Sequence, residues 1–414
     1  MIRIPNGAVS AALVISALEL PPGPALHLLH PDAGQSRFGI AVAVGGEADS
    51  DPWLAVGDDG VEDGVAAEGR VDCFEPGDDA QSWSRSASLE GTDPRPYDRF
   101  GASLATDGMR LLVGAPGDDR HGASSGRVEI HRRRFGTWQP EAVLFDDRGA
   151  AGDEFGGAVA MAGETAVVGA MRANDPALDS GRVVVFEHAE GSWRETAALV
   201  APDAAAGDWF GASVATDGER IVVGAYGDDD LGEKSGAAWV FRREGAAWIP
   251  EQKLLPPAAG PRHWFGFSVA IDGGWIMVGA PRADPHGDSS GTVWCFQQDG
   301  EAWRLRGRLD PPDPVAGDWF GYALALDGER LLVGAPGRDG DAEHANAGDV
   351  VRFVRNGSRW RRLDRLQPSE AGADRLAGAA VALGQGRVLI GHLRGEDLAP
   401  EPGTAWVARW SGSR

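Results

Sequence analysis

Residues 199–225 carry the pattern that decides the fold, LVAPDAAAGDWFGASVATDGERIVVGA. The stretch contains a phenylalanine-glycine pair, Phe210-Gly211, and ends in a hydrophobic-Gly-Ala motif at 223–225. Six intact copies of the pair occur, the last five at intervals of 55 residues: Phe38-Gly39, Phe100-Gly101, Phe155-Gly156, Phe210-Gly211, Phe265-Gly266 and Phe320-Gly321. A seventh, degraded copy is predicted at Leu376-Ala377. A repeat of this length, seven times over, indicates one closed array of small units.

Each repeat has the pattern of four antiparallel strands. In the copy quoted above, a strand of small residues over 211–215 leads into Asp217-Gly218, the signature of a tight hairpin, and the return strand covers 221–225. A longer polar loop precedes a third strand over 236–241, and a fourth covers 248–254. No segment shows a helical period. The sequence therefore predicts an all-β, seven-bladed propeller of four-stranded antiparallel blades.

The two ends of the chain are predicted to share the last blade. A tryptophan opens the fourth strand in six of the seven repeats: Trp83, Trp138, Trp193, Trp248, Trp303 and Trp360. The seventh repeat ends before that position, whereas residues 28–33 resemble the end of a fourth strand and stand directly before the first Phe-Gly pair. We expect a strand from about Pro22 to Leu29 to pair with the C-terminal blade and close the ring, which removes two exposed sheet edges.

These patterns predict one domain and a short N-terminal segment. Residues 1–21 contain an apolar run, interpreted either as the remnant of a signal sequence or as an extra strand packed on the array. Residues 22–414 form the propeller. Its blades are expected at about 37–94, 99–150, 154–206, 209–261, 264–316, 319–372, and 375–414 together with 22–30.

The repeats resemble the FG-GAP repeat family, which includes the propeller of integrin α subunits. The resemblance covers most of the chain and is closest to bacterial proteins with the pattern found at 199–211 and 309–321. It implies an extracellular, cell-surface or periplasmic binding or adhesion module. Integrin-type repeats hold Ca²⁺ in acidic loops between their first two strands, but the hairpin at Asp217-Gly218 and its equivalents carry one carboxylate each, too few for calcium.

Charge and cysteine content limit the partners. The formal net charge of -23 argues against nucleic acid, because binding to phosphates needs clustered cations. No apolar run is long enough to cross a bilayer, so membrane insertion is not expected. Cys73 and Cys295 occupy equivalent places in two distant repeats and are not expected to form a disulfide. A protein or glycan ligand and a monomeric state are favoured.

Strand alternation predicts which loops are functional. The loops between the second and third strands and those between blades must emerge on one side, which we expect to bind the ligand. This side is rich in carboxylates, interpreted either as turn caps or as a cation-binding rim. The candidate metal ligands are Asp118, Asp119, Asp228, Asp229 and Asp230, with Asp49 and Asp51 in the longer acidic loop of the first repeat.

The residue before the Phe-Gly pair is where the repeats differ most. It is tryptophan in three successive copies and Arg37, Arg99 and Glu154 in others, so the fold does not require an aromatic side chain there. The three indoles either pack between blades or stack on sugar rings. The candidate ligand-binding residues are Trp209, Trp264 and Trp319, with their neighbours Asp208, His263 and Asp318.

No enzyme motif is present in the sequence. It lacks a Gly-x-Ser-x-Gly elbow, a His-Glu-x-x-His pair and a Cys-x-x-Cys pair. We therefore expect a non-enzymatic binding or adhesion module. Two alternatives are a lectin that uses the three tryptophans and a polysaccharide hydrolase or lyase, which would need two carboxylates converging near the axis.

Overall fold

The computed structural model describes residues 27–29, 37–46, 51–62, 65–66, 68–77, 82–258, 260–339, 346–367, 376–392 and 403–411. Over this part of the chain the protein is all-β, with seven four-stranded antiparallel sheets and one two-stranded hairpin. The predicted seven-bladed propeller is confirmed. The segment at 1–21 and residues 22–26 of the predicted closing strand lie outside the described residues, which begin at His27.

In blades 1 to 6 the four strands follow one another in sequence from the axis outward. Blade 1 contains Ala41–Gly45, Trp53–Asp58, Arg70–Pro76 and Trp83–Leu89. Blade 2 contains Ser103–Thr106, Arg110–Ala115, Arg127–Arg134 and Thr137–Leu144. Blade 3 contains Ala158–Ala162, Thr165–Ala170, Arg182–Ala189 and Ser192–Leu199. Blade 4 contains Ser213–Thr216, Arg220–Ala225, Ala237–Glu244 and Ala247–Leu254.

The remaining blades repeat this order. Blade 5 contains Ser268–Asp272, Trp275–Ala280, Thr292–Asp299 and Ala302–Leu309. Blade 6 contains Leu324–Asp327, Arg330–Ala335, Asp349–Asn356 and Arg359–Leu366. Blade 7 contains Ala377–Gly384, Arg387–His392 and Ala405–Arg409, and His27–Leu29 pairs antiparallel with the last of these. The small hairpin joins Val61–Glu62 to Val65–Ala66.

The Phe-Gly pair is the contact between neighbouring blades. Phe210 is fully buried and lies beside Gly181, the glycine that precedes the third strand of blade 3. Gly211 has a φ of +93°, and a Cβ there would lie 2.7 Å from the carbonyl oxygen of Arg182 in blade 3. A side chain would therefore push two backbones apart, which explains why the motif needs glycine at this position.

The hydrophobic core is divided among the spaces between blades. In one of these, Val183 and Val185 of blade 3 pack with Phe210, Ile221 and Val223 of blade 4. The same arrangement joins blade 7 to blade 1, where a Cβ on Gly39 would lie 2.6 Å from the carbonyl oxygen of Thr404. Each blade therefore buries both of its faces against its neighbours.

The seventh copy of the pair lies one residue later than the sequence predicted. Ala377, not Leu376, pairs with Gly348 as each phenylalanine pairs with the glycine of the preceding blade. Gly378 has a φ of +88° and its Cβ position faces the carbonyl oxygen of Asp349, as at the intact copies. The predicted copy at Leu376-Ala377 is therefore wrong, and Leu376 takes the position before the pair.

Candidate functional site

The loops between second and third strands and the loops between blades are joined by hydrogen bonds, and we call the side that they form the loop face. In blade 4, the carbonyl oxygen of Lys234 accepts a hydrogen bond of 3.2 Å from the backbone N–H of Trp264 in blade 5. The next residue, Ser235, accepts one of 3.1 Å from the N–H of Phe265. Each loop thus fixes the start of the next blade.

The residue before each Phe-Gly pair has a left-handed backbone conformation. The φ angles are +56° at Trp209, +57° at Trp264 and +54° at Trp319, and the equivalent Glu154 and Arg99 have similar values. Because L-residues rarely adopt this region, the conformation is imposed by the loop hydrogen bonds around it. The loop hydrogen bonds therefore point these side chains in equivalent directions, whether the residue is aromatic or charged.

Six aromatic side chains of blades 4 to 6 form one contiguous group, and we call it the aromatic cluster. Ring centroids are 4.9 Å apart between Trp209 and Tyr226, 5.5 Å between Tyr226 and Trp264, and 4.7 Å between Phe267 and Tyr322. Trp264 stacks on Phe267, and Trp319 stacks on Tyr322. The complete cluster is Trp209, Tyr226, Trp264, Phe267, Trp319 and Tyr322.

Part of the aromatic cluster lines a pocket of about 200 Å³. Its wall is formed by Trp264, Phe267, Pro281, Arg282, Trp319 and Tyr322. No carboxylate belongs to this lining. The three predicted tryptophans are half-buried, and within the described residues their indole N–H groups donate no hydrogen bond to the protein. They pack against neighbouring rings, and part of their surface stays accessible.

Two cations lie over tryptophan rings of the cluster. The ammonium of Lys234 is 4.3 Å from the ring centroid of Trp209, and the guanidinium of Arg282 is 3.9 Å from that of Trp264. The cations are attracted to the negative faces of the indoles. Neither forms an ion pair with a carboxylate in the described parts of the chain. Lys234 is also one of only two lysines in the sequence.

Blades 1 to 3 carry charged residues at the positions where blades 4 to 6 carry the tryptophans of the cluster. Glu154 pairs with Arg172 at 3.4 Å. Arg37 and Arg99 both reach the carboxylate of Asp59, at 3.1 Å and 3.4 Å. The loop face therefore has an aromatic half, in blades 4 to 6, and a charged half in blades 1 to 3.

The predicted neighbours of the tryptophans cap turns. The carboxylates of Asp208 and Asp318 accept backbone hydrogen bonds from the residues three positions earlier, at 2.7 Å and 2.9 Å. The Nδ1 atom of His263 accepts the equivalent bond, at 3.0 Å. Burial raises the pKa of Asp208 to about 6. Asp318 also pairs with Arg338 at 2.7 Å. These groups hold the backbone that carries the tryptophans.

Two carboxylates of the predicted acidic rim, Asp228 and Asp230, surround a lysine together with Asp203, which the sequence did not single out. The ammonium of Lys253 lies 2.7 Å from Asp203, 2.7 Å from Asp228 and 2.6 Å from Asp230. Together these three carboxylates have the spacing of a metal site. Despite desolvation by burial, the hydrogen bonds that Lys253 donates to the three carboxylates hold the pKa of Lys253 above its usual range. The lysine thus occupies the centre where a metal would bind.

The other predicted metal ligands organise loops. Asp119 and Asp229 accept backbone hydrogen bonds from the residues five positions later, at 2.7 Å and 2.5 Å. Asp118 pairs with Arg120 and lies 3.5 Å from the buried Arg127. Asp51 is exposed, and Asp49 lies outside the described residues. These geometries match the expectation that such carboxylates cap turns.

Comparison with known families identifies the repeat. Five segments, residues 83–130, 138–186, 193–241, 248–296 and 303–350, match the FG-GAP repeat. The chain belongs to the FG-GAP repeat family. Each matched segment starts near a fourth strand and ends in the third strand of the next blade, so an FG-GAP repeat includes one complete Phe-Gly contact between blades.

Other comparisons give no further assignment for this FG-GAP protein. No curated protein matches its sequence. Among solved structures, Sqt1 of Saccharomyces cerevisiae is similar with a TM-score of 0.47 and 10% identity, over 92% of this chain and 87% of that chain. This similarity carries no argument about function. The described residues include no helix with the length and hydrophobicity needed to cross a membrane.

Several residues of the site were not predicted. Tyr226 follows the Gly-Ala motif, and Phe267 and Tyr322 follow the Phe-Gly pair, at positions where the other FG-GAP repeats carry mostly small or aliphatic residues. Arg282 and Lys234 lie in loops of the same blades. Aligning the repeats column by column would have found the aromatic substitutions, because all fall in blades 4 to 6.

Proposed function

We propose that this FG-GAP protein is a non-enzymatic binding module that holds a carbohydrate ligand at the aromatic cluster of its loop face. The observation that carries the proposal is the pocket between Trp264 and Trp319, whose wall is aromatic and whose indole donors are unused within the described residues. Aromatic rings offer flat apolar faces to the C–H groups of sugars, while indole and phenol groups can exchange hydrogen bonds with hydroxyls.

The size and position of the pocket support a small ring-shaped group. Pockets for drug-sized ligands have volumes of about 300–1,000 Å³, so about 200 Å³ suits one sugar ring. Four of the exposed large apolar side chains, Tyr97, Leu178, Leu231 and Val315, also lie in loops of this face. They add exposed apolar area to the same face, which is available to an extended ligand such as a glycan chain on a cell surface.

A hydrolase or lyase has less support in the geometry. Such an enzyme needs two carboxylates that flank the bond to be cleaved, at a separation of about 5–9.5 Å. The carboxylates nearest to the tryptophans, Asp208 and Asp318, are buried and bound to backbone N–H groups. The function favoured by the pocket is therefore binding without cleavage, in an adhesion or recognition role outside the cytoplasm.

A glycan array tests the proposal. The wild type is compared with the triple variant Trp209→Ala, Trp264→Ala, Trp319→Ala, and with the control Phe135→Ala, whose fully exposed ring lies in a hairpin of the opposite face. We expect the wild type and the control to bind the same glycans, and the triple variant to lose them. Equal binding by the wild type and the folded triple variant, or no binding by the wild type, would contradict the proposal.

A further inference from the structure

The aromatic pocket carries a cation that has no carboxylate partner among the described residues. Arg282 is exposed at the edge of the pocket, and its guanidinium carbon lies over the Trp264 ring, 3.9 Å from the ring centroid. In the described residues it has no carboxylate partner, although the chain has 62 acidic residues and 39 lysines and arginines. In so acidic a protein, most exposed arginines find a carboxylate, as Arg262 finds Glu233 at 3.1 Å.

The geometry of Arg282 suits an anion in the pocket. A guanidinium stacked on an indole uses its face for the ring and leaves the N–H donors at its edge free. Those donors form a planar fork that matches the two oxygens of a carboxylate. Because Arg282 already packs on Trp264, less side-chain freedom remains to be lost when a ligand binds.

The charges around the aromatic cluster also favour an anion. Lys234, over Trp209, is a second cation without a carboxylate partner in the described chain. Arg37 and Arg99, at the equivalent positions of blades 1 and 2, both pair with Asp59. The aromatic cluster therefore holds two cations, Arg282 and Lys234, without a carboxylate partner among the described residues, on a protein whose formal net charge is -23.

We infer that the pocket binds an acidic sugar residue, a pyranose ring that carries a carboxylate, with Arg282 pairing the carboxylate and the aromatic wall holding the ring. The inference rests on the carbohydrate binding proposed above and adds the chemical class of the ligand. A neutral sugar would use the aromatic wall and leave Arg282 without a partner. A small inorganic anion would use Arg282 and leave the apolar wall unfilled.

Isothermal titration calorimetry with a matched pair of ligands tests this inference. The probes are a trimer of galacturonic acid and its methyl ester, which keeps the rings and removes the charge. The proteins are the wild type, Arg282→Gln, and Arg306→Gln as the control, since Arg306 lies in the outer strand of the same blade and pairs with Asp299.

We expect the wild type and Arg306→Gln to bind the acid at least about tenfold more tightly than the ester, because a hydrogen bond to a charged group contributes more than one to a neutral group. Arg282→Gln should bind both probes with the affinity that the wild type shows for the ester. An unchanged affinity for the ester also shows that this substitution leaves the aromatic wall intact.

Four outcomes would overturn the inference. Equal affinity of the wild type for acid and ester would leave carbohydrate binding in place but remove the preference for acidic sugars. A preference retained in Arg282→Gln, or a loss of both probes in that variant, would remove Arg282 from the recognition of the carboxylate. If the wild type binds neither probe, the inference fails, and the glycan array decides separately whether the proposed function fails with it.

Discussion

The ammonium of Lys253 lies 2.7 Å from the carboxylate of Asp228, and Asp203 and Asp230 complete a shell of three anions around it. The cation of this acidic loop is therefore supplied by the outer strand of the same blade. The Lys253 ammonium occupies the centre of these carboxylates and supplies a counter-charge there.

Replacing Lys253 should convert this cluster into a cation-dependent one. Lys253→Ala leaves three close carboxylates without a counter-charge, so we expect a lower melting temperature that millimolar Ca²⁺ partly restores, since a ligand that binds the native state raises apparent stability. The wild type should melt at the same temperature with Ca²⁺ and with chelator. Lys234→Ala is the matched control, because it removes the other lysine of the chain, which lies on Trp209. A wild type stabilised by Ca²⁺ would contradict this account of the acidic loop.

The glycine of the Phe-Gly pair should tolerate no side chain. Gly211→Ala places a Cβ 2.7 Å from the carbonyl oxygen of Arg182, and we expect it to lower the free energy of unfolding by about 4 kcal/mol or more. Gly163→Ala is the control, because Gly163 also has a positive φ of +55° but no atom lies within 4 Å of its Cβ position. It should cost about 1–2 kcal/mol. Similar midpoints of urea unfolding for the two variants would show that the close approach of the two backbones does not determine the loss of stability.

A buried arginine holds three acidic groups together in blade 2. Arg127 lies 3.4 Å from Asp98, 3.5 Å from Asp118 and 3.2 Å from Glu129, and its side chain is 1% exposed. Arg127→Met removes the buried counter-charge that Asp98, Asp118 and Glu129 share, while Asp118 keeps its pair with Arg120, and we expect a loss of about 3–5 kcal/mol in urea unfolding.

The control for this loss is an exposed pair in the next blade. Arg194 contacts Glu190 at 3.7 Å, with both side chains largely in solvent, so Arg194→Met should change stability by less than about 1 kcal/mol. Equal effects of the two substitutions would mean that burial contributes nothing to the Arg127 network.

Asp208 should make stability depend on pH. Burial raises the pKa of Asp208 from 3.8 to about 6. Between pH 3.8 and pH 6 the carboxyl group is therefore protonated in the folded state and ionised in the unfolded state, which favours folding. The stability that this bound proton contributes is fully present below pH 4 and is lost as the pH rises through 6. Asp208→Asn lacks it, so the stability of the variant relative to the wild type should improve by about 1–2 kcal/mol between pH 4 and pH 7.5.

Calorimetry at the two pH values measures this change. The control is Glu301→Gln, an exposed residue in the hairpin between the third and fourth strands of blade 5. We expect its stability relative to the wild type to be the same at both pH values. A relative stability of Asp208→Asn that stays constant with pH would contradict the assigned role of burial at this carboxylate.

The sequence predicted the fold because its signals are local and repeated. Phe210 and Gly211 recur with the spacing of the blades, and the structure shows that this pair is the contact between one blade and the next. The prediction failed by one residue at the seventh copy, where Ala377 takes the place of phenylalanine. Because Ala377 is small, the neighbouring Leu376 matched the large apolar residue of the motif better than Ala377, which occupies the phenylalanine position.

The candidate site was predicted in part. The change of residue before the pair pointed correctly to Trp209, Trp264 and Trp319 as members of one surface, because the repeats place equivalent residues on one face. The partners of charged groups could not be predicted. Lys253 reaches Asp228 and Asp203 from distant positions in the sequence, and nothing in a loop composition distinguishes a carboxylate that binds a lysine from one that binds a metal.

The most direct test of ligand binding at the aromatic cluster is a ¹H–¹⁵N spectrum of the tryptophan indoles, titrated with the glycan that gives the strongest array signal. The chain has 15 tryptophans, and single substitutions assign the resonances of Trp209, Trp264 and Trp319. We predict that the N–H signals of Trp264 and Trp319 shift on titration, while those of the outer-strand Trp138 and Trp193 stay in place. Shifts confined to the outer-strand tryptophans, with Trp264 and Trp319 unmoved, would contradict the account.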